Sequence, residues 1–415
     1  MIEQKLRSAI RLVFGGLCLL AAGCQVGPAA LQISHAAYNE AIQRTTGEQL
    51  LLNLVRLKYR EQPVFLDVGS VSAQFVFDQS GDFAATLNED VGAQRGNPNV
   101  LRLGGRIGYT ERPTITYVPL SGKDFVQRLL SPISVETIVL LTNSGWRIDR
   151  VLRLTVQEAN GLDNARRASG PTPDSAPTFE AFNHAADLLR RLQANRQIYL
   201  EYDSRSIDVS GPIAAAAMTS EAMVRAADTG TRFRQTPDGT YVLTRDTPRL
   251  ILRLANGGEE SPEARELREL LHLAEQSEYD LVPARRSRGG ALDDHGLRTD
   301  IALDTRSLIG TMFFLSQGIT APGRHLAARL ITQTTEANGT PFDWTRLLGD
   351  VIRVHAQRIR PKDPAVAVRH RGYWFYIRDD DLNSKSTFSL LDQLFTLRAG
   401  GSAGVAPVLT LPVGG

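Results

Sequence analysis

The chain has almost no cysteine and little lysine. Cys18 and Cys24 are the only thiols in 415 residues, so a disulfide framework is excluded as the source of stability. Lysine occurs only at Lys5, Lys58, Lys123, Lys362 and Lys385, and arginine supplies the remaining positive charge. We read that bias as base composition rather than as an arginine-specific surface, although guanidinium forks still favour bidentate pairing with carboxylates. An excess of one charge is also missing. With 47 basic and 45 acidic residues the formal net charge is +2, which gives no electrostatic footprint for nucleic acid. Beyond the N-terminal leader no apolar run approaches the roughly 20 residues that a membrane-spanning helix needs. The remaining balance, 42% hydrophobic and 22% charged, predicts two or three globular domains with real cores.

What is present begins with the leader. Lys5, Arg7 and Arg11 form a basic segment, residues 12–20 (LVFGGLCLL) an apolar one, and Ala21-Ala22-Gly23-Cys24 follows. A positive region, a short apolar run and small residues are the three parts of a secretory signal peptide, and the run is too short to span a bilayer. The alternative is an uncleaved N-terminal anchor. Cys18 is a poor acceptor because bulky Leu17 precedes it.

Residues 1–25 resemble the lipobox leader of bacterial lipoproteins, in which small residues precede an invariant cysteine. Ala22 and Gly23 fit that pattern; Ala21 stands where leucine is commonest. The resemblance implies cleavage before Cys24, diacylation of its sulfur and then acylation of its new amine. Two or three acyl chains make a stable anchor where one gives only marginal attachment. In such lipoproteins an aspartate after the cysteine favours the inner membrane. Gln25 at that position implies the outer membrane, with the body facing the periplasm.

The expected organisation is a leader (1–23), a lipidated tether (24–33) and three α+β domains at 34–165, 178–284 and 291–415. Linkers are expected at 166–177 (RRASGPTPDSAP) and 285–290 (RRSRGG). A long helix is expected from Ser34 to about Arg60, weakened by Gly47. Strands are expected over 64–77 and 106–119, with a Gly/Asn/Asp-rich loop between them. Phe182, Ala186, Leu189 and Leu192 mark an amphipathic helix, and Ser261-Pro262 marks a helix start. Residues 365–376 read as a hairpin around Arg369-His370-Arg371-Gly372. Two strand–cap–helix runs, one ending at Gly318 and one near Gly400, are similar, and capping chemistry explains most of the likeness. The class expected is α+β, without a transmembrane barrel, because ten-residue alternating strands do not recur often enough in one chain.

No constellation predicts chemistry. Gly400-Gly401-Ser402-Ala403-Gly404 matches a nucleophile elbow in letters only, since it follows a helix instead of a strand. Asp379-Asp380-Asp381 with Asn383 starts like a calcium loop but lacks the glycine and the closing glutamate, so it reads as a helix cap. His35, His184, His272, His325 and His355 are scattered, His370 marks a hairpin tip, and His295 lies beside Asp293 and Asp294. No local zinc pair, phosphate loop or S-x-x-K motif occurs. Tyr373-Trp374-Phe375-Tyr376 reads as a strand buried on both faces or, alternatively, as an aromatic ledge. Residues 407–412, with proline at each end, read as an edge strand or a donated one.

Cys24, as a lipidation site, is thus the single residue with an expected chemical role; no cofactor or metal is expected. The expected function is a non-enzymatic scaffold, assembly or partner-binding component of the envelope. The alternatives are an envelope-polymer hydrolase and a glycan- or small-ligand-binding lipoprotein.

Overall fold

A computed structural model describes residues 26–86, 100–171, 173–285 and 291–399, with backbone alone for 26–37, 69–86, 100–115 and 399. Cys24, Ser402 and residues 407–412 lie outside the described residues.

In chain order the elements are α1 (Val26–Lys58), β1 (Leu66–Thr86), β2 (Val100–Pro119), α2 (Lys123–Leu130), α3 (Val135–Asn143), α4 (Ile148–Thr155), β3 (Val156–Ala159) and β4 (Leu162–Asp163). Then come α5 (Glu180–Ala194), β5 (Ile198–Asp208), α6 (Ser220–Asp228), β6 (Thr231–Gln235), β7 (Tyr241–Leu254), α7 (Pro262–Leu271), β8 (Glu278–Pro283) and β9 (Asp300–Thr305). The last are α8 (Leu308–Ser316), α9 (Gly323–Ala327), α10 (Thr345–Leu348), β10 (His355–Gln357), β11 (Pro364–His370), β12 (Tyr373–Arg378) and α11 (Leu382–Ala399). The fold is α+β, and among the described residues there is neither a barrel nor a helix apolar enough to cross a membrane.

Two compact units divide the chain. Among the described residues, one comprises 26–63 and the part from 122 to 399, and the other 64–86 and 100–121. In the first, a seven-stranded sheet runs β4-β3-β9-β8-β7-β5, with β6 also on β7. Only β8 and β9 are parallel; the other pairs are antiparallel. β7 is long enough to hold β6 at Tyr241 to Arg245 and β8 at Ile251 to Arg253, while β5 lines it from Thr244 to Leu254. Pro248 falls between the β6 and β8 stretches, where a missing amide hydrogen costs the ladder least. The sheet takes strands from each of the three stretches expected to be separate domains.

The expected linker 166–177 is instead bonded into this unit. Thr334 Oγ1 donates to Pro173 O at 2.6 Å, and Ala176 N donates to Thr335 O at 2.9 Å. Its Pro and Ser content follows from an irregular path, and the backbone groups find partners outside the ladders. Of the linker expected at 285–290, residues 286–290 are outside the described residues.

The helical core is aliphatic. Ile148, Val151, Leu154, Phe182, Leu188, Leu192 and Ile251 are buried where α4, α5 and α7 pack around the sheet. Arg306, between β9 and α8, is 1% exposed within it. Its guanidinium donates to the carbonyls of Arg153 (3.1 Å), Leu154 (3.2 Å), Val156 (2.6 Å) and Asn164, and to Ser169 Oγ at 3.0 Å. It also lies 4.0 Å from the centroid of Phe314. Burial pushes its pKa down to about 9, partly offset by Asp163 and Asp304.

α1 starts inside the expected tether, so residues 26–33 are helical, and it continues through Ser34 and Gly47. Its C-terminal half is buried through Leu50, Leu51, Leu54 and Val55. A three-stranded sheet, β10-β12-β11, closes this unit's other end of the chain. The expected hairpin turns at Arg371 (φ 45°) and Gly372 (φ 83°), a two-residue turn with both residues left-handed. Phe375 and Ile377 are fully buried, whereas Trp374 and Tyr376 are half-buried, and the Arg360 guanidinium lies 5.3 Å from the Trp374 ring.

The second unit is an antiparallel ribbon of β1 and β2, 21 and 20 residues long, and no third strand joins it among the described residues. Both strands run deep into 78–105, the stretch read as a loop. The Gly, Asp and Ser content that suggests a loop instead alternates along one ladder, from Ser70↔Thr116 to Thr86↔Val100.

Candidate functional site

The first unit holds a cleft of about 460 Å³ lined by Lys58, Gln317, Thr334, Trp344, Arg353 and His355, among others. That volume lies in the range of small-molecule sites. The end of α8 and the segment before β10 build one wall: Thr320 N donates to Val354 O at 2.8 Å and Val354 N to Gly318 O at 3.0 Å. Gly318 permits this approach. A Cβ there would stand 2.7 Å from Ile352 O and 2.8 Å from Ile352 Cγ2. Gly318→Ala should therefore lower stability by roughly 1–3 kcal/mol, as forced overpacking does. A thermal melt equal to that of the parent chain would show that the wall yields without cost.

Lys58 ends α1 and is only 9% exposed. Its Nζ donates to Gln317 Oε1 at 2.8 Å, and it forms no ion pair with a described carboxylate. Burial lowers its pKa from 10.5 to about 8. A desolvated amine of this kind can receive an anionic or carbonyl-bearing ligand. Two other polar groups of the wall are already engaged. Thr334 Oγ1 accepts from Trp344 Nε1 at 3.2 Å. Asp343 accepts from the Thr345 amide (2.9 Å) and hydroxyl (2.7 Å), and these bonds hold its pKa below the usual carboxylate range. It remains an ionised helix cap. Burial and Arg378 lower the pKa of His355, which is tilted over Tyr376.

Beside Lys58 in sequence, Tyr59 belongs to a second cluster. Its hydroxyl is 2.5 Å from His325 Nδ1. Burial raises the Tyr59 pKa to about 12, so the hydroxyl stays protonated and donates. His370 packs edge-on against Tyr59, with Nε2 3.3 Å from Glu61 but not aligned for a hydrogen bond, and Arg371 binds the same carboxylate at 2.7 Å. Burial lowers the pKa of both histidines. Both therefore pack as neutral rings in a structural joint between the end of α1, α9 and the β11–β12 hairpin. His370 sits at the hairpin as expected, but its side chain is only 15% exposed.

The remaining sequence candidates do not converge. His295 is exposed in a turn where Asp293 accepts from the amides of His295 and Leu297. Asp381 caps α11 by accepting from Ser384 N at 3.0 Å, Asp379 pairs with Lys385 and Asp380 with Arg378. No group of three metal-ligating side chains occurs among the described residues. Sequence reasoning missed Lys58 as a cleft residue, although its spacing from Leu51, Leu54 and Val55 already places a charge on an apolar helical stripe. It also missed Tyr59 and Glu61. Comparison with known proteins finds no matching family model, no similar curated protein and no similar solved structure.

Proposed function

We propose that this chain is a non-enzymatic assembly component of a bacterial envelope, tethered by lipid on Cys24 to the outer membrane with its body facing the periplasm. The observation that supports it best is the β1–β2 ribbon. Its backbone edges from Ser70 to Thr86 and from Val100 to Thr116 have no further strand among the described residues. A lone two-stranded ribbon is marginally stable in water, and long open edges are templates for pairing, so the ribbon calls for a partner. The anchor holds the body where such partners are embedded.

A second reading, binding of a small ligand or glycan fragment, is favoured by the Lys58 cleft. Its amine and Trp344 offer charge and an apolar surface to an anionic ligand. The hydrolase alternative finds no such support, since Asp379, Asp380 and Asp381 are held in ion pairs and a helix cap and His295 stands exposed in a turn.

The test is affinity purification of the full chain from detergent-solubilised envelopes, beside Cys24→Ala and with a fatty-acid probe. The proposal expects a stoichiometric complex, probe on the parent chain, and an unprocessed, unlabelled precursor for Cys24→Ala. A monomer without partners would overturn the assembly role, and labelling of Cys24→Ala would overturn the anchor.

A further inference from the structure

The ribbon has two different faces and two different edges. By the pleat and the register, Phe77, Gln79, Gly81, Phe83 and Ala85 share one face with Tyr109, Ile107, Gly105, Leu103 and Leu101. That set contains no charged residue over nine positions of each strand (77–85 and 101–109). The other face takes Asp78, Ser80, Asp82 and Ala84 with Gly108, Arg106, Gly104 and Arg102. An uncharged face alternating with a charged one over about 9–11 residues suits a tilted strand that crosses a bilayer with one face to lipid and one to water.

The edges differ in charge. β1 carries Asp67, Asp78 and Asp82 and no basic residue, whereas β2 carries Arg102, Arg106 and Arg112 against one acid, Glu111. Pairing β1 with β1 of another copy would set acid beside acid. Pairing the β2 edge of one copy with the β1 edge of the next sets the base-bearing strand beside the acid-bearing one, the same combination of strands that the hairpin itself holds. That head-to-tail contact is antiparallel and heterologous, so it propagates from copy to copy and forms a ring where the rotation closes.

From this geometry we infer that copies of this chain pair hairpin to hairpin into one closed β-barrel, with the 77–85/101–109 apolar face against lipid and the charged face lining a water-filled lumen. The inference rests on the assembly role proposed above and names the partner as further copies of the chain. Each copy supplies two strands, so barrels of eight strands or more require at least about four copies. A barrel need not recur within one sequence when every copy contributes one hairpin.

The experiment uses the full chain, purified in mild detergent and reconstituted into phosphatidylethanolamine–phosphatidylglycerol vesicles. Light scattering counts copies, and release of an entrapped dye reads the pore. Phe83→Glu and Ala84→Glu place the same residue at adjacent positions on opposite faces. The parent chain is expected as a ring of four or more copies that releases dye. Phe83→Glu should reduce release at least roughly tenfold, because each copy buries a charge in lipid, while Ala84→Glu, in register with Arg102, keeps it. A monomeric, non-releasing parent chain overturns the barrel without reference to either variant, as does equal release from both variants. If that monomer still holds a different stoichiometric partner, the assembly role stands and only the barrel falls; a monomer without partners overturns both.

Discussion

Lys58→Met should make the protein more stable at neutral pH. The Lys58 amine has a pKa of about 8 in the fold against 10.5 in an unconstrained chain, because burial disfavours its charged form. The folded state therefore binds fewer protons than the unfolded state between these values, and stability rises with pH through that window. Below about 8 the penalty of holding an ammonium in the cleft is fully present, and the gap corresponds to about 3 kcal/mol. The hydrogen bond to Gln317 Oε1 returns about 1 kcal/mol of it. Replacement by methionine, similar in length and uncharged, should thus stabilise by about 2 kcal/mol at pH 7. The advantage should shrink as pH rises past 8, vanish near pH 10 and become a small loss above it, where only the missing hydrogen bond to Gln317 remains. Chemical denaturation at pH 7, 9 and 10.5 measures it. Destabilisation at pH 7, or a gain that does not change with pH, would contradict a buried unpaired amine. A residue kept at such a cost is the one to test for ligand contact in the cleft.

Arg306→Met should act in the opposite direction and more strongly. A buried charge can often be exchanged for a well-packed apolar side chain with little loss. Here the acceptors decide otherwise, because they are main-chain carbonyls that stay buried after the exchange. Asn164 Nδ2 would still reach the carbonyls of Arg153 and Val156, but those of Leu154 and Asn164 would lose the guanidinium. Two orphaned acceptors, the lost charge-assisted bonds and the space over Phe314 together cost about 3–5 kcal/mol. The melting temperature should fall by roughly 10 °C. Arg306→Lys should fall between the parent chain and the methionine variant, since one ammonium cannot fork to four carbonyls. A lysine variant as weak as the methionine one would mean that geometry, not charge, is what the site requires.

These residues show what the sequence discloses and what it conceals. Caps are legible because they act within one turn. Ser261 and Asp381 each accept from the amide three residues on, as their spacing implies. The amphipathic period of α5 and the hairpin of β11 and β12 are legible for the same reason. The α+β class follows from such local signals. The sheet is not legible, because β3 and β9 pair across more than a hundred residues of chain and carry no mark of each other. Composition also misleads where long-range pairing wins. The glycines and aspartates of 78–86 and 100–105 imply a loop until the partner strand supplies hydrogen bonds along one edge of each. Lys58 and its cleft are assembled from segments near 58, 320, 333, 343 and 353. In sequence it is only a rare lysine at the end of a helix.

The order of the seven-stranded sheet also governs how the chain can be made. Its β3–β9 pairing joins Val156 to Thr305, and β9 is the strand that links β3 and β4 to β8, β7 and β5. A chain growing from its N-terminus holds β3 paired only with β4, its other edge open, until residue 305 exists, and such distant closures are slow. Truncations between β4 and β9 leave two half-sheets with open edges instead of one domain intact and another missing. The seven-stranded sheet therefore closes only when about three quarters of the polypeptide, through residue 305, is present, and the stability that depends on this closure arrives late in synthesis.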